Sequence, residues 1–348
     1  MKIKCFFAFV CLSLIMLAGC QQVEEEKFIQ IIPTEAIHPR PVIIDTDMAA
    51  DDWMAILMVL QRTDLEVQAI TVTGAGEAHC DPGVENALGL VALADHKPIP
   101  VACGQETPLE GEHVFPQSWR DGVDNMMGLS LPEGENPIST MTAVQLLSLT
   151  IQNSPSKITI LTLGPLTNLG ELFLSQPEIT EQIAGIYIMG GAVHVPGNMA
   201  FSVKGNKVAE WNIYVDPTAA EIVFGSGAPV ILVPLDATNH AKVTREFYDQ
   251  LESFHMTPEA AFVYDLLSQN KFNMVTSGQY YFWDPLAAAL LVDESMANYE
   301  NQPVCMVTQE GNDSGQTIIG EGCPNIRIAV SADSDRFEKT FIETLNYP

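Results

Sequence analysis

Short apolar runs recur along the chain, separated by longer amphipathic or apolar stretches and by polar, glycine-rich turns. Val42-Ile43-Ile44, Val67 to Val72, Ile99-Pro100-Val101, Lys157 to Leu163, Ile183 to Met189, Pro229 to Leu235, Val304 to Thr308 and Ile326 to Val330 read as strands. Trp53 to Leu60, Asn86 to Ala94, Phe262 to Phe272 and the stretch after Asp284-Pro285 read as helices. Strand, loop and helix alternate, which predicts an α/β chain with a largely parallel open sheet and helices on both faces. In such sheets ligands bind outside the carboxyl ends of the strands. The turns at those ends are therefore where chemistry is expected.

The first turn is the most charged. Asp45, Asp47, Asp51 and Asp52 lie within eight residues, between a buried strand and the start of a helix. Four carboxylates this close repel one another unless something positive neutralises them, and a hard divalent cation held by oxygens is the simplest answer. Two other readings stay open at this point. Asp51 and Asp52 would favour a helix N-terminus in any case, with Asp45 and Asp47 solvated. An aspartyl-phosphate phosphatase would want Thr or Val where the chain has Ala49.

Later turns on the same rim add candidates. The second strand runs into Gly74-Ala75-Gly76-Glu77-Ala78-His79, a tight loop offering Glu77 and His79. Residues 104–137 form a long irregular insertion, of the kind that covers active sites, with Trp119 in it. Gly190-Gly191 after the fifth strand allows close backbone approach to a ligand. Glu210 and Asn212 alternate around Trp211, so in an extended segment both face one side, where a carboxylate and a carboxamide suit sugar hydroxyls. Asp284 repeats the pattern of a carboxylate at a helix start.

Composition narrows the class. Forty-four acidic residues against sixteen basic ones give a formal charge of -28, which repels nucleic acid polymers and anionic membrane surfaces. Small neutral substrates remain. Lys2 and Lys4 precede an apolar run from Cys5 to Ala18 that is too short to span a bilayer and fits a secretory signal. Leu17-Ala18-Gly19-Cys20 resembles the lipobox of bacterial lipoproteins, with Cys20 lipidated. The expected organisation is a signal over 1–19, a lipidated and flexible tether over 20–40, and a single domain over 41–348, exported and anchored only by lipid. Of seven cysteines, Cys80, Cys103, Cys305 and Cys323 stay in the body. They permit one or two disulfides in any of three full pairings, or free thiols.

Taken together, these stretches resemble the inosine-uridine-preferring nucleoside hydrolases. The first turn matches that family's D-x-D-x-x-x-D-D signature, and Leu163-Gly164-Pro165-Leu166-Thr167-Asn168-Leu169, Met189-Gly190-Gly191, Ala209-Glu210-Trp211-Asn212 with Asp216-Pro217, and Asp284-Pro285 follow in the family's order. The resemblance implies a Rossmann-like sheet and calcium-dependent cleavage of the N-glycosidic bond of ribonucleosides, in nucleoside salvage. It implies calcium on Asp47, Asp52, Asp284 and the Leu163 carbonyl, with Asp47 also the base and Asp45 behind it. Asp51, Asn198, Glu210 and Asn212 would hold the ribose, with Met189 beside the sugar, and Glu210 would favour the positive charge that develops there.

Two positions depart from that pattern. Gly76-Glu77 stands where many relatives carry Gly-Asn, and Trp283 where many carry His before the last Asp. Leaving-group protonation by that His is unavailable, so Glu77 and His79 become the candidate donors. Trp119 and Trp283 resemble the purine-preferring branch, where two indoles sandwich the base. A nucleoside- or sugar-binding lipoprotein without efficient catalysis, or a hydrolase of another ribosyl compound, would share this site. Relatives form dimers or tetramers, and a homo-oligomer is an open expectation.

Overall fold

The fold begins at β1 (Arg40–Thr46), whose six residues after Arg40 are all buried. The structure, a computed structural model, describes residues 39–134, 139–200, 202–269 and 273–347. The predicted signal, Cys20, nearly all of the tether and Phe272 lie outside the described residues. β2 (Leu65–Val72), β3 (Val101–Cys103), β4 (Ile158–Thr162), β5 (Ile183–Met189) and β6 (Val230–Val233) follow in the chain, then β7 (Ala297–Met306), β8 (Thr317–Ile319) and β9 (Asn325–Ala332). They form one sheet in the order β3-β2-β1-β4-β5-β6-β9-β7-β8. Pairing is parallel from β3 to β9, and β7 and β8 close the sheet antiparallel.

Alternation along β1 sends Val42 and Ile44 into the core on one face and Ile43 into the core on the other, as the two-residue period of a doubly covered strand requires. The first face is covered by the Ala50–Leu60 and Trp283–Val292 helices, which pack against each other. The second is covered by the Ala143–Asn153, Thr167–Ser175 and Pro217–Gly225 helices. From β1 the chain first proceeds outward through β2 to β3, then returns to β4 and proceeds the other way. The strand order therefore reverses between β1 and β4, and the crevice beyond their carboxyl ends is where this topology places a ligand.

Several elements differ from the sequence reading. The Asn86 to Ala94 helix starts earlier, at Cys80. The 104–137 insertion contains a helix, Gln117–Asp124. The Phe262 helix is Pro258–Leu267. Most consequential is the Glu210 stretch: it is not extended but starts a short helix, Trp211–Val215, with Glu210 at its N-cap. The cause is local, because the Glu210 carboxylate accepts the backbone N–H groups of Asn212 and Ile213 and so satisfies donors a helix start leaves free. The open cysteine pairing resolves as Cys80–Cys103 and Cys305–Cys323.

Candidate active site

β1 delivers two acids to the crevice. Asp45 is fully buried, and its Oδ1 accepts the Thr71 hydroxyl of β2 at 2.5 Å and the Asn168 amide at 2.7 Å. Burial outweighs both bonds and pushes its carboxyl up to about 7. Asp47 follows directly on the strand end at Thr46. Its Oδ2 accepts the Glu77 N–H at 3.1 Å and its carbonyl accepts Ala78 N–H at 2.9 Å. The chain then turns at Met48, whose φ of 60° lies in the left-handed region, at a cost of about 1 to 3 kcal/mol for a residue with a side chain. Trp53 holds that turn by donating its indole N–H to the Met48 carbonyl at 2.8 Å.

The loops around Asp47 leave no room for larger residues. A Cβ on Gly76 would stand 2.0 Å from the Asp47 Cβ, and one on Gly164 would stand 2.6 Å from it. Both glycines are therefore required by close approach, not by turn conformation.

The Ala50–Leu60 and Trp283–Val292 helices bring their first turns to the same place. Oxygens of Asp51, Asp52 and Asp284 all lie within 4.8 Å of one another. Asp52 is fully buried; its Oδ1 accepts the Thr46 hydroxyl and, at 3.2 Å, the Asp47 N–H. Asp52 Oδ2 and Asp284 Oδ1 are buried without a hydrogen-bond partner. Burial pushes Asp51 and Asp52 up to about 7, and pushes Asp47 and Asp284 well above the ordinary carboxylate range, with repulsion from Asp52 adding to both. Partnerless carboxylate oxygens facing one another in a buried site fit a bound cation, which satisfies them and removes the repulsion.

The remaining predicted residues gather around this cluster to different degrees. Glu77 is half-buried and is raised well above its usual range by burial and by the charges of Asp47 and Asp51, against an opposing pull from Arg120. Glu210 Oε2 accepts the Gly191 N–H at 2.9 Å, so it ties the loop after β5 to its own helix. Asn212 donates its amide to the Leu163 carbonyl at 2.9 Å and the Met189 carbonyl at 3.2 Å, joining the ends of β4 and β5. Asn198 keeps its amide oxygen buried and unpartnered. His79 is held by the Gln117–Asp124 helix of the 104–137 flap: its Nδ1 lies 2.6 Å from Asp124 Oδ2. Trp119 is 40 % exposed and packs on Trp211 and Phe115, while Trp283 packs on Tyr280 and Tyr281.

Five residues with a part here carried no assigned role in the sequence reading. Asn168, Arg120 and Asp124 act through hydrogen bonds to neighbours distant in the chain, which spacing does not reveal, and Thr46 bonds Asp52 within the first turn. Asn168 stood in a recognised motif, and Arg120 directly follows Trp119, so position offered a signal for both. Tyr280, in the aromatic run before Asp284, faces the carboxylates; burial and then Asp51, Glu77, Asp284 and Asp52 hold its hydroxyl protonated far beyond the ordinary tyrosine range.

Residues 42–339 match the family model described as inosine-uridine preferring nucleoside hydrolase. The pyrimidine-specific ribonucleoside hydrolase RihA of Citrobacter koseri is 33 % identical, over 88 % of this chain and 98 % of that protein. A plant nucleoside hydrolase structure superposes with a TM-score of 0.79 at 29 % identity, covering 89 % of this chain and all of that one. The purine-preferring ribonucleoside hydrolase of Gardnerella vaginalis shares the fold, with a TM-score of 0.74 at 24 % identity, over 88 % of this chain and 98 % of the other. The sheet order, the acidic switch point and these matches agree, and the chain belongs to the inosine-uridine preferring nucleoside hydrolase family, as an N-ribosyl hydrolase.

Proposed function

We infer that the protein is a calcium-dependent ribonucleoside hydrolase that prefers purines and works outside the cytoplasm, held to a membrane through lipidated Cys20. The observation that carries the chemistry is the cluster of Asp51, Asp52 and Asp284, with partnerless oxygens on two of them, beside Asp47. The donors are all oxygen, which suits a hard cation of six to eight ligands. Asp47, Asp52, Asp284 and the Leu163 carbonyl are the ligands in this reading, with Asp51 at the border between ion and ribose. When bound, calcium supplies the fixed positive charge that neutralises these acids and orients the ribose hydroxyls and a water.

Asp47, fixed by the Glu77 N–H, takes the proton of the water that attacks C1′. The sugar passes through an oxocarbenium-like state. Glu210 accepts three backbone N–H groups and presents a buried negative charge that favours that state. The Asn198 amide oxygen, buried and partnerless, is suited to receive a ribose hydroxyl. Glu77 and His79 are the donors for the departing base, the first facing the carboxylates and the second oriented by Asp124.

For the base, Trp119 offers an exposed ring braced by Trp211 and Phe115. Stacking on such a ring contributes roughly 1 to 3 kcal/mol per base and favours the larger purine. The 33 % identity to a pyrimidine-specific relative favours the second reading, a pyrimidine preference. Free-ribose release from inosine, guanosine, adenosine, uridine and cytidine, with and without chelator, tests both. Chelator-sensitive release favouring purines, lowered by Trp119→Ala and Trp283→Ala, supports the first reading. Faster release from uridine and cytidine establishes the second, and no release with a nucleoside still bound makes the protein a binding lipoprotein.

A further inference from the structure

The loop Gly74 to Cys80 is gripped from both sides. On its inner side it holds Asp47 twice, through the N–H groups of Glu77 and Ala78. On its outer side lies the Gln117–Asp124 helix, whose Arg120 is 5 % exposed and donates from Nη2 to the carbonyls of Gly74 at 2.9 Å and Ala78 at 3.3 Å. The same helix ends on Asp124, which receives the His79 N–H at 2.9 Å and holds the His79 ring. Asn86 fastens that end by donating to the Val123 and Asp124 carbonyls, both at 3.2 Å.

Arg120 directly follows Trp119, and successive helical residues point about 100° apart. One therefore faces outward to the aromatic wall while the other is buried against the loop. The Arg120 charge also bears on Glu77, the extra carboxylate of this loop. A buried guanidinium whose Nη2 bonds two carbonyls of a single loop ties both of them to the helix at once.

We propose that Arg120 is a positioning residue: it transmits the seating of the Trp119 helix to the Asp47 carboxylate through the Gly74 to Ala78 backbone. The proposal rests on the hydrolase reading for its kinetic consequence, and its mechanical part is measurable without turnover. Base stacked on Trp119 then steadies the group that takes the water's proton, so recognition of the leaving group is expressed in the rate of the chemical step.

The test compares Arg120→Met and Arg120→Lys with the parent in kcat, KM, terbium binding and amide hydrogen exchange over residues 74–80. Arg120→Met is expected to lower kcat about 30-fold or more with KM within about threefold, because the interaction acts mainly in the transition state. Exchange over 74–80 should quicken at least about tenfold while terbium affinity stays within about threefold. Arg120→Lys, which keeps the charge and N–H donors on a different head group, should recover part of kcat. A structural role alone would instead loosen the whole flap and weaken terbium binding in parallel. Parent-like kcat, or unchanged exchange over 74–80, overturns the proposal. Should Arg120→Met fail to fold, Arg120→Lys decides by the same exchange and kcat readings. Should the parent release no ribose, the hydrolase reading falls, and exchange alone still supports or overturns the grip.

Discussion

At the scale of single residues, the site is governed by how little space surrounds Asp47. Gly76→Ala places a methyl carbon where the Asp47 side chain already stands. Ribose release should fall about 100-fold or more, with a stability loss of about 1 to 3 kcal/mol in a thermal melt, as overpacking causes. A loss of stability without loss of rate would show that Asp47 has room to move. Asn168 is the complementary case. Its amide bridges Asp45 and the Val72 carbonyl, so Asn168→Ala should cost about 1 to 3 kcal/mol by leaving buried acceptors unmet. The acids themselves were legible in the sequence because carboxylates at strand ends are conspicuous. Asn168 and Arg120 were not assigned because each acts on a neighbour brought close only by folding. Glu210 was read as a residue of an extended segment, because local capping by its own side chain leaves no mark in an alternating pattern.

At the scale of elements, the sheet and the strand-to-helix turns followed from apolar runs and glycines. The antiparallel margin did not: β8 is three residues long, and the polar first half of β7 reads as loop. The two disulfides sit at opposite ends of this architecture. Cys80 opens the helix behind the Glu77 loop and Cys103 closes β3, whereas Cys305 and Cys323 staple the chain near β7 and β9. Each bridge should contribute about 2 to 4 kcal/mol. Replacing Cys80 and Cys103 by Ser should also lower kcat, since the freed loop carries the N–H groups on Asp47. Replacing Cys305 and Cys323 should lower the melting temperature alone. Equal kinetic effects from both pairs would contradict this division.

For the whole molecule, the raised carboxyls set the dependence on pH. A carboxyl whose folded pKa lies above its unfolded value keeps a proton that the unfolded chain has already lost. With Asp45, Asp51 and Asp52 at about 7, stability is highest below the ordinary carboxylate range and falls as pH rises through about 7. In chelator the melting temperature should therefore drop between about pH 5 and about pH 8. Added calcium should raise it, and more at the higher pH, because a cation competes with those protons. Melts at both pH values with chelator or excess calcium check the sign. A calcium effect larger at low pH would count against carboxylate ligation.

The order in which the chain is synthesised adds a consequence. Asp51 and Asp52 emerge early, but Asp284 stands on the Trp283–Val292 helix, after six of the nine strands. A growing chain holds the acidic turn without its closing partner. In the calcium reading such a chain lacks one carboxylate ligand, so the site is complete only once the last helices are in place. Chains ending before Trp283 should accordingly show no terbium luminescence at concentrations that saturate the complete protein.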